Sequence, residues 1–259
     1  MRRIHAFELE DQSWMPTVLR EAGMAYLRFM GARLKTEERL RPLIEGALSR
    51  SGEREILDLC SGGGGPMLDL AEALTADGCG VPITLTDRYP DPSAIGLVEA
   101  SGVPGLRYET ESVDAMDVTG DRKGLRTLFN AFHHLKPDQA QGVLASAVAG
   151  RRPIAVFEIL RRKPLAVLGM LGVPLAVLLL VPFLRPFRLA WIPLTYLIPA
   201  IPLFILWDGL VSCFRIYNEE ELMSMARAAD PDGRLAWEVH DIPVPAQSFP
   251  GIALIGIPR

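Results

Sequence analysis

Apolar positions change rhythm several times along this chain, and each change marks an element. In residues 15–30, Val18, Leu19, Met24 and Leu27 recur at roughly helical spacing. Residues 36–48 place Leu40, Leu43, Ile44 and Leu48 on one side of a second helix, which stops near Ser51-Gly52. The pattern then shortens. Residues 55–59 form a brief apolar run, and a glycine cluster follows, with Pro66 where a helix would begin. Residues 67–76 are helical in period, 81–86 strand-like, 92–100 helical and 106–113 alternating like a strand. Two more strands, 126–130 and 154–160, flank a helix at 137–148. Near the end, Asn218 with Glu221 three residues on predicts a capped helix, and 235–241 with 251–258 predict an antiparallel pair. Strands alternating with helices at short intervals predict an α/β fold, a parallel sheet covered on both faces.

The longest apolar stretches interrupt this alternation. Residues 165–184 and 189–207 carry no charge, and each is about as long as a bilayer-spanning helix. Arg161, Arg162 and Lys163 precede them, and Arg185 and Arg188 lie between them. Three readings stay open: a spanning hairpin, a hairpin dipping into one leaflet, and a buried cap or dimer interface. Pro174, Pro182, Pro193, Pro199 and Pro202 weigh against the first, as does the basic turn that would have to cross. Trp191, Tyr196 and Trp207 suit a membrane interface and favour the second. Asp208 and Arg215 are expected to pair where the chain returns to the domain. The resulting division is a helical cap (1–52), a core (53–163), an apolar insertion (164–210) and a C-terminal completion (211–259).

Composition refines this picture. The 259 residues suffice for one large domain with an insertion. A net charge of −4 argues against nucleic acid as a partner. The mean hydropathy of +0.20 is high for a soluble chain, and the apolar block accounts for it. Three cysteines, Cys60, Cys79 and Cys213, lack zinc-finger or CxxC spacing, which fits a reducing compartment and predicts no metal centre. Glu8, Glu10 and Asp11 break any signal-peptide pattern near the start.

The strongest chemical signal is the run Asp58-Leu59-Cys60-Ser61 followed by Gly62, Gly63, Gly64 and Gly65. Glycines between a strand and a helix let a ligand approach the backbone, and either a dinucleotide or S-adenosylmethionine uses such a place. The spacing is not GxGxxG. Asp58 at the strand end would repel a pyrophosphate but suits an ammonium, and Asp87 ends the next strand where ribose hydroxyls would lie.

With EILDLCSGGGGP, ITLTDRYP, VDAMDV, TLFNAFHHL and IAVFEIL in this order, the chain resembles a class I S-adenosylmethionine-dependent methyltransferase. The resemblance covers roughly residues 55–160 and the closing strands. It implies a Rossmann-like seven-stranded sheet, parallel but for one C-terminal strand, with S-adenosyl-L-methionine as cofactor. Asp58, Cys60, Gly62, Gly63 and Gly64 would hold the methionine end, Asp87 the ribose, and Asp114 and Ala115 the adenine. Asn130 and Phe132 would line the methyl-donor side. Four glycines after Cys60-Ser61 depart from the family's GxGxG pattern and leave individual glycine roles open.

If the acceptor must lose a proton, His133, His134, Glu158 and Tyr217 are the base candidates. Because the apolar block follows the fifth strand, it would lie over the acceptor pocket. The expected protein is a methyltransferase on the cytoplasmic face of a membrane, with a hydrophobic or lipid-like acceptor. A nicotinamide-dependent oxidoreductase and a non-catalytic, membrane-anchored cofactor-binding module are the alternatives.

Overall fold

The computed structural model describes residues 1–76, 80–119, 122–244 and 249–259; Cys79 lies outside them. Two helices open the chain, α1 (Thr17–Arg33) and α2 (Thr36–Ser51). The core continues through β1 (Ile56–Asp58), α3 (Met67–Ala76), β2 (Ile83–Leu85), α4 (Pro92–Ser101), β3 (Leu106–Tyr108), β4 (Leu125–Phe129), α5 (Pro137–Ala149) and β5 (Ile154–Glu158). After the apolar block come α10 (Glu219–Ala229), β6 (Leu235–Ile242) and β7 (Gly251–Pro258). The seven strands form one sheet in the order β3-β2-β1-β4-β5-β7-β6. Only β7 runs against the others, pairing antiparallel with both β5 and β6.

Side-chain alternation explains the layers. Ile56 joins α2, α3 and α4 on one face of the sheet, through Leu40, Ile44, Leu70 and Val98. Its neighbour Leu57 joins α5 and α10 on the other, through Val143, Leu144, Leu222 and Ala226. The capping box expected at α10 is present, with Asn218 and Glu221 each accepting from the other's backbone N–H.

Two expectations need correction. The strand expected over 106–113 ends at Tyr108. Its ladder closes where the Glu109 N–H donates to Leu85, after which the polar residues Glu109, Thr110, Glu111 and Ser112 offer no face to bury. The apolar hairpin is not two long helices. Its first arm is a helical stretch of 20 residues, Pro164–Phe183, built from α6 (Pro164–Met170), α7 (Val173–Leu180) and a 3₁₀ turn. The second is broken into α8 (Trp191–Tyr196) and α9 (Ala200–Arg215). The break falls at Ile198-Pro199, where proline excludes the residue before it from helical geometry.

The block does not stand alone. Val177, Val181, Leu184, Trp191, Ile201 and Phe204 pack with Ala22, Ala25 and Tyr26 of α1 in one cluster. The Trp191 indole N–H donates to the Val18 carbonyl, 3.1 Å away. Contact between α1 and α9 is so close at Gly23 that a Cβ there would lie 2.8 Å from the Phe204 ring. The opposite side of the block stays open. Leu168, Leu171, Leu175, Leu179 and Phe183 are each about 60% exposed, a continuous apolar ridge of the kind that marks an interaction surface.

Candidate functional site

The sheet order reverses direction between β1 and β4, and loops leaving these strands diverge to opposite faces. In open α/β sheets that divergence makes the ligand crevice, at the carboxyl ends of the strands. The loop after β1 is locked by its own residues. Asp58 is buried, and its two oxygens accept from the Ser61 and Thr127 hydroxyls, each at 2.6 Å. Burial pushes its carboxyl up to about 7, against these hydrogen bonds. Asp58 thus pins the loop to β4, a different task from meeting an ammonium directly. Cys60 turns the chain with a positive φ of 55°. Burial, with Asp87, Asp58 and Asp114 nearby, pushes its thiol up to about 12, which disfavours the thiolate.

Gly62 and Gly64 adopt positive φ, 49° and 90°, which only glycine does without strain. A Cβ on Gly62 would meet nothing within 4 Å, so open space lies over this part of the backbone. Gly63 is different. A Cβ there would collide with the Met24 methyl of α1, and it would lie 3.6 Å from Arg28 Nη1. One helical turn apart, Met24 and Arg28 present the same face of α1 to the glycine loop.

Asp87 faces the loop from β2. Its Oδ2 accepts the Gly62 N–H at 2.9 Å and its Oδ1 accepts the Tyr89 N–H at 2.8 Å. A carboxylate has further acceptor capacity, which leaves room for ribose hydroxyls. Asp114 caps a turn by accepting the Met116 N–H at 2.9 Å and lies 3.6 Å from Arg88, while Ala115 beside it is buried. The Val113 N–H donates to the Asp87 carbonyl, so Asp87 links the Asp114 turn to the glycine loop.

The loop after β4 departs from expectation. Asn130 is exposed, at a φ of 47°, and its side-chain oxygen accepts the Ile159 N–H at 2.8 Å, fastening the ends of β4 and β5. Phe132 lines no open surface. A 3₁₀ turn rotates it into the core, fully buried against Tyr217 with ring centroids 5.7 Å apart. The same turn directs His133 to Glu158 at the end of β5. Glu158 accepts the His133 N–H at 2.9 Å and lies 2.8 Å from its Nδ1, so it is a satisfied buried carboxylate. His134 Nδ1 lies 2.8 Å from Asp11 and its Nε2 3.3 Å from Glu8. Burial lowers the His134 pKa, but Asp11 and Glu8 outweigh it and raise it to about 9. Tyr217 donates to the Leu135 carbonyl at 2.8 Å, with the Arg3 guanidinium over its ring.

Asp208 and Arg215 do not pair with each other. Asp208 accepts the backbone N–H groups of Leu9 and Glu10, at 2.7 and 2.9 Å. Arg215 is buried, 2.8 Å from Asp11 and 3.4 Å from Glu8, and donates to the carbonyls of His133 and His134. Asp208 holds an N-terminal arm, residues 1–15, against α9, and Arg215 holds the arm against the β4 loop. Sequence reasoning missed this arm. Glu8 and Asp11 stood out in the sequence only as charges. Met24 was placed only in a helical stripe, although its spacing of four from Arg28 was the available signal for a shared face.

No protein-family model matches the chain, and no curated protein matches it in sequence. Solved structures match it in shape. The methyltransferase domain of bacterial CtHen1 superposes with a TM-score of 0.52 at 12% identity, over 86% of this chain and 99% of that one. A Nostoc punctiforme protein assigned as an O-methyltransferase gives 0.53 at 14% identity, over 98% of this chain and 64% of that one. PigF with SAH gives 0.52 at 15% identity, over 95% and 62% respectively. This is the class I S-adenosylmethionine-dependent methyltransferase fold. The chain spans under two thirds of the last two structures and nearly all of the first. The glycine loop, Asp87 and Asp114 follow the carboxyl ends of β1, β2 and β3.

Proposed function

We propose that the protein is an S-adenosyl-L-methionine-dependent methyltransferase working at a membrane surface on a hydrophobic or lipid-like acceptor. One observation carries the cofactor reading: Asp87, 2.9 Å from the Gly62 N–H, holds an acid over a glycine backbone at the switch point of the sheet. The positive-φ glycines and the open space over Gly62 fit a ligand that lies against the main chain. Bound there, the cofactor supplies an electrophilic methyl group. This chain's residues would orient it: Asp87 would accept from the ribose, Asp114 and Ala115 would border the adenine, and Arg28, with no hydrogen bond or ion pair among the described residues, would meet the methionine carboxylate. Alignment of donor and acceptor supplies much of such a rate. His133, His134 and Glu158 are bound to one another or to the N-terminal arm, and they position the β4 loop.

The ridge of Leu168, Leu171, Leu175 and Leu179 supports the membrane half. It lies on the segment that follows β5, and the exposed Lys163 at its base suits lipid phosphates, whereas Arg161 and Arg162 are turned inward to Asp241 and Glu221. The break between α8 and α9 at Pro199 and the burial of half of α9 in the domain favour a block lying on one face of a bilayer over one that spans it.

Calorimetric titration with S-adenosylhomocysteine tests the cofactor. The wild type binds, and Asp87→Ala weakens binding at least tenfold. A folded wild type that binds NAD but no S-adenosylhomocysteine would overturn the reading. Flotation with anionic vesicles tests the surface, and protein that stays wholly in the aqueous layer would remove the membrane half.

A further inference from the structure

We propose that Glu8, His133 and His134 form a binding site for a divalent transition-metal cation, zinc by the chemistry of its donors. The three side chains present ligand atoms that all lie within 4.8 Å of one another. Each histidine is already oriented as a metal ligand would be. His133 Nδ1 lies 2.8 Å from Glu158, and His134 Nδ1 lies 2.8 Å from Asp11. A carboxylate at Nδ1 takes the ring N–H there and leaves Nε2 as the metal-binding atom, where on His134 the metal would replace a proton, the arrangement that recurs behind metal-bound imidazoles.

Both Nε2 atoms then face the same carboxylate. His133 Nε2 is 3.8 Å from Glu8 Oε1, and His134 Nε2 is 3.3 Å from Glu8 Oε2. Lone pairs facing lone pairs repel unless positive charge lies between them. For His133 a proton cannot serve, because 3.8 Å exceeds hydrogen-bond reach. Its Nε2 is buried and has no hydrogen-bond partner among the described residues. An unpartnered buried acceptor of this kind is costly. A cation bonded at about 2.0–2.1 Å to each donor holds tetrahedral ligand atoms roughly 3.3 Å apart, near the spacing seen.

The surrounding charge is favourable. Glu8, Asp11 and Glu158 converge on the two imidazoles, against two guanidiniums: Arg215, 3.4 Å from Glu8 Oε1, and Arg3, which donates to the His133 carbonyl at 3.2 Å. Ser212 also donates to that oxygen, at 3.0 Å, which leaves Oε2 turned toward His134. Two imidazoles and one carboxylate match zinc better than calcium or magnesium, which prefer oxygen alone. The ion would fasten the N-terminal arm, through Glu8, to the loop after β4, with a fourth position for water.

The test uses the full-length protein, stripped with a chelator and titrated with Zn²⁺ against a chromogenic competitor, with no cofactor present. Its result is therefore independent of the methyltransferase reading. The wild type takes up zinc stoichiometrically. Glu8→Gln and His134→Gln each weaken it by at least about 100-fold, Asp11→Asn by about 10- to 100-fold, and His240→Gln on β6 leaves it unchanged. Should Glu8→Gln fail to fold, by circular dichroism, His134→Gln decides. No stoichiometric uptake by the folded wild type, or undiminished uptake by His134→Gln, would overturn the proposal and leave a site that holds protons only.

Discussion

Met24 of α1 covers Gly63, so closely that a Cβ on the glycine would run into the Met24 methyl. The wall of the crevice at this point is therefore a flexible side chain from another element. Met24→Ala is expected to raise affinity for S-adenosylhomocysteine several-fold, because a site closed for part of the time binds in proportion to its open fraction. Calorimetry of the two proteins reads this directly.

The glycines of the loop are expected to differ in sensitivity. Gly63 has ordinary φ, and Met24 can swing aside, so Gly63→Ala costs under about 1 kcal/mol of stability. Gly64 sits at a φ of 90°, and Gly64→Ala there costs about 1–3 kcal/mol. Urea unfolding of both variants gives the comparison.

Asp58 makes the fold sensitive to pH. Its carboxyl is pushed up to about 7 in the folded protein, against about 3.9 in an unfolded chain. Between those values the unfolded chain has lost a proton that the folded chain keeps. Stability contributed by this group is full below the lower value and declines as pH rises toward 7. Asp58→Asn is expected to flatten that decline, since the Ser61 and Thr127 hydroxyls can reorient toward an amide. Unfolding midpoints at pH 5 and pH 7 for both proteins check it.

Removing the Arg215 guanidinium should free the N-terminal arm. Arg215→Met takes the donor from the His134 carbonyl, one of two from the His133 carbonyl, and a cation from Asp11 and Glu8, at a cost of about 3–5 kcal/mol. Trypsin would then cut at Arg3, which is otherwise bonded to the Arg215 and Leu135 carbonyls.

The two sides of α7 should respond oppositely to charge. Leu175 and Leu179 are exposed, and replacing both by Asp is expected to abolish vesicle flotation while leaving the melting temperature unchanged. Val177 between them is fully buried with Trp191 and Tyr26, and Val177→Asp should unfold that cluster.

How much of this could be read beforehand depends on range. The glycine loop, the Asn218 capping box and the β6–β7 pair are local patterns, and the structure places each as expected. Neighbourhood in sequence misled for Asp208 and Arg215, whose partners come from residues some two hundred positions away. Phe132 followed the family pattern in sequence, yet one 3₁₀ turn decided which way it points. The apolar block was plain as composition. Its division at Pro199, and its packing on Ala22 and Tyr26, depended on three-dimensional partners that no periodicity encodes.

Gly23 and Met24 are consecutive residues of α1, one pressed against Phe204 of the apolar block and the other against Gly63 of the crevice. A helix turns as a rigid body. Any tilt of α9 is therefore expected to reappear, like motion at the far end of a crank, as a displacement of Met24 over the glycine loop.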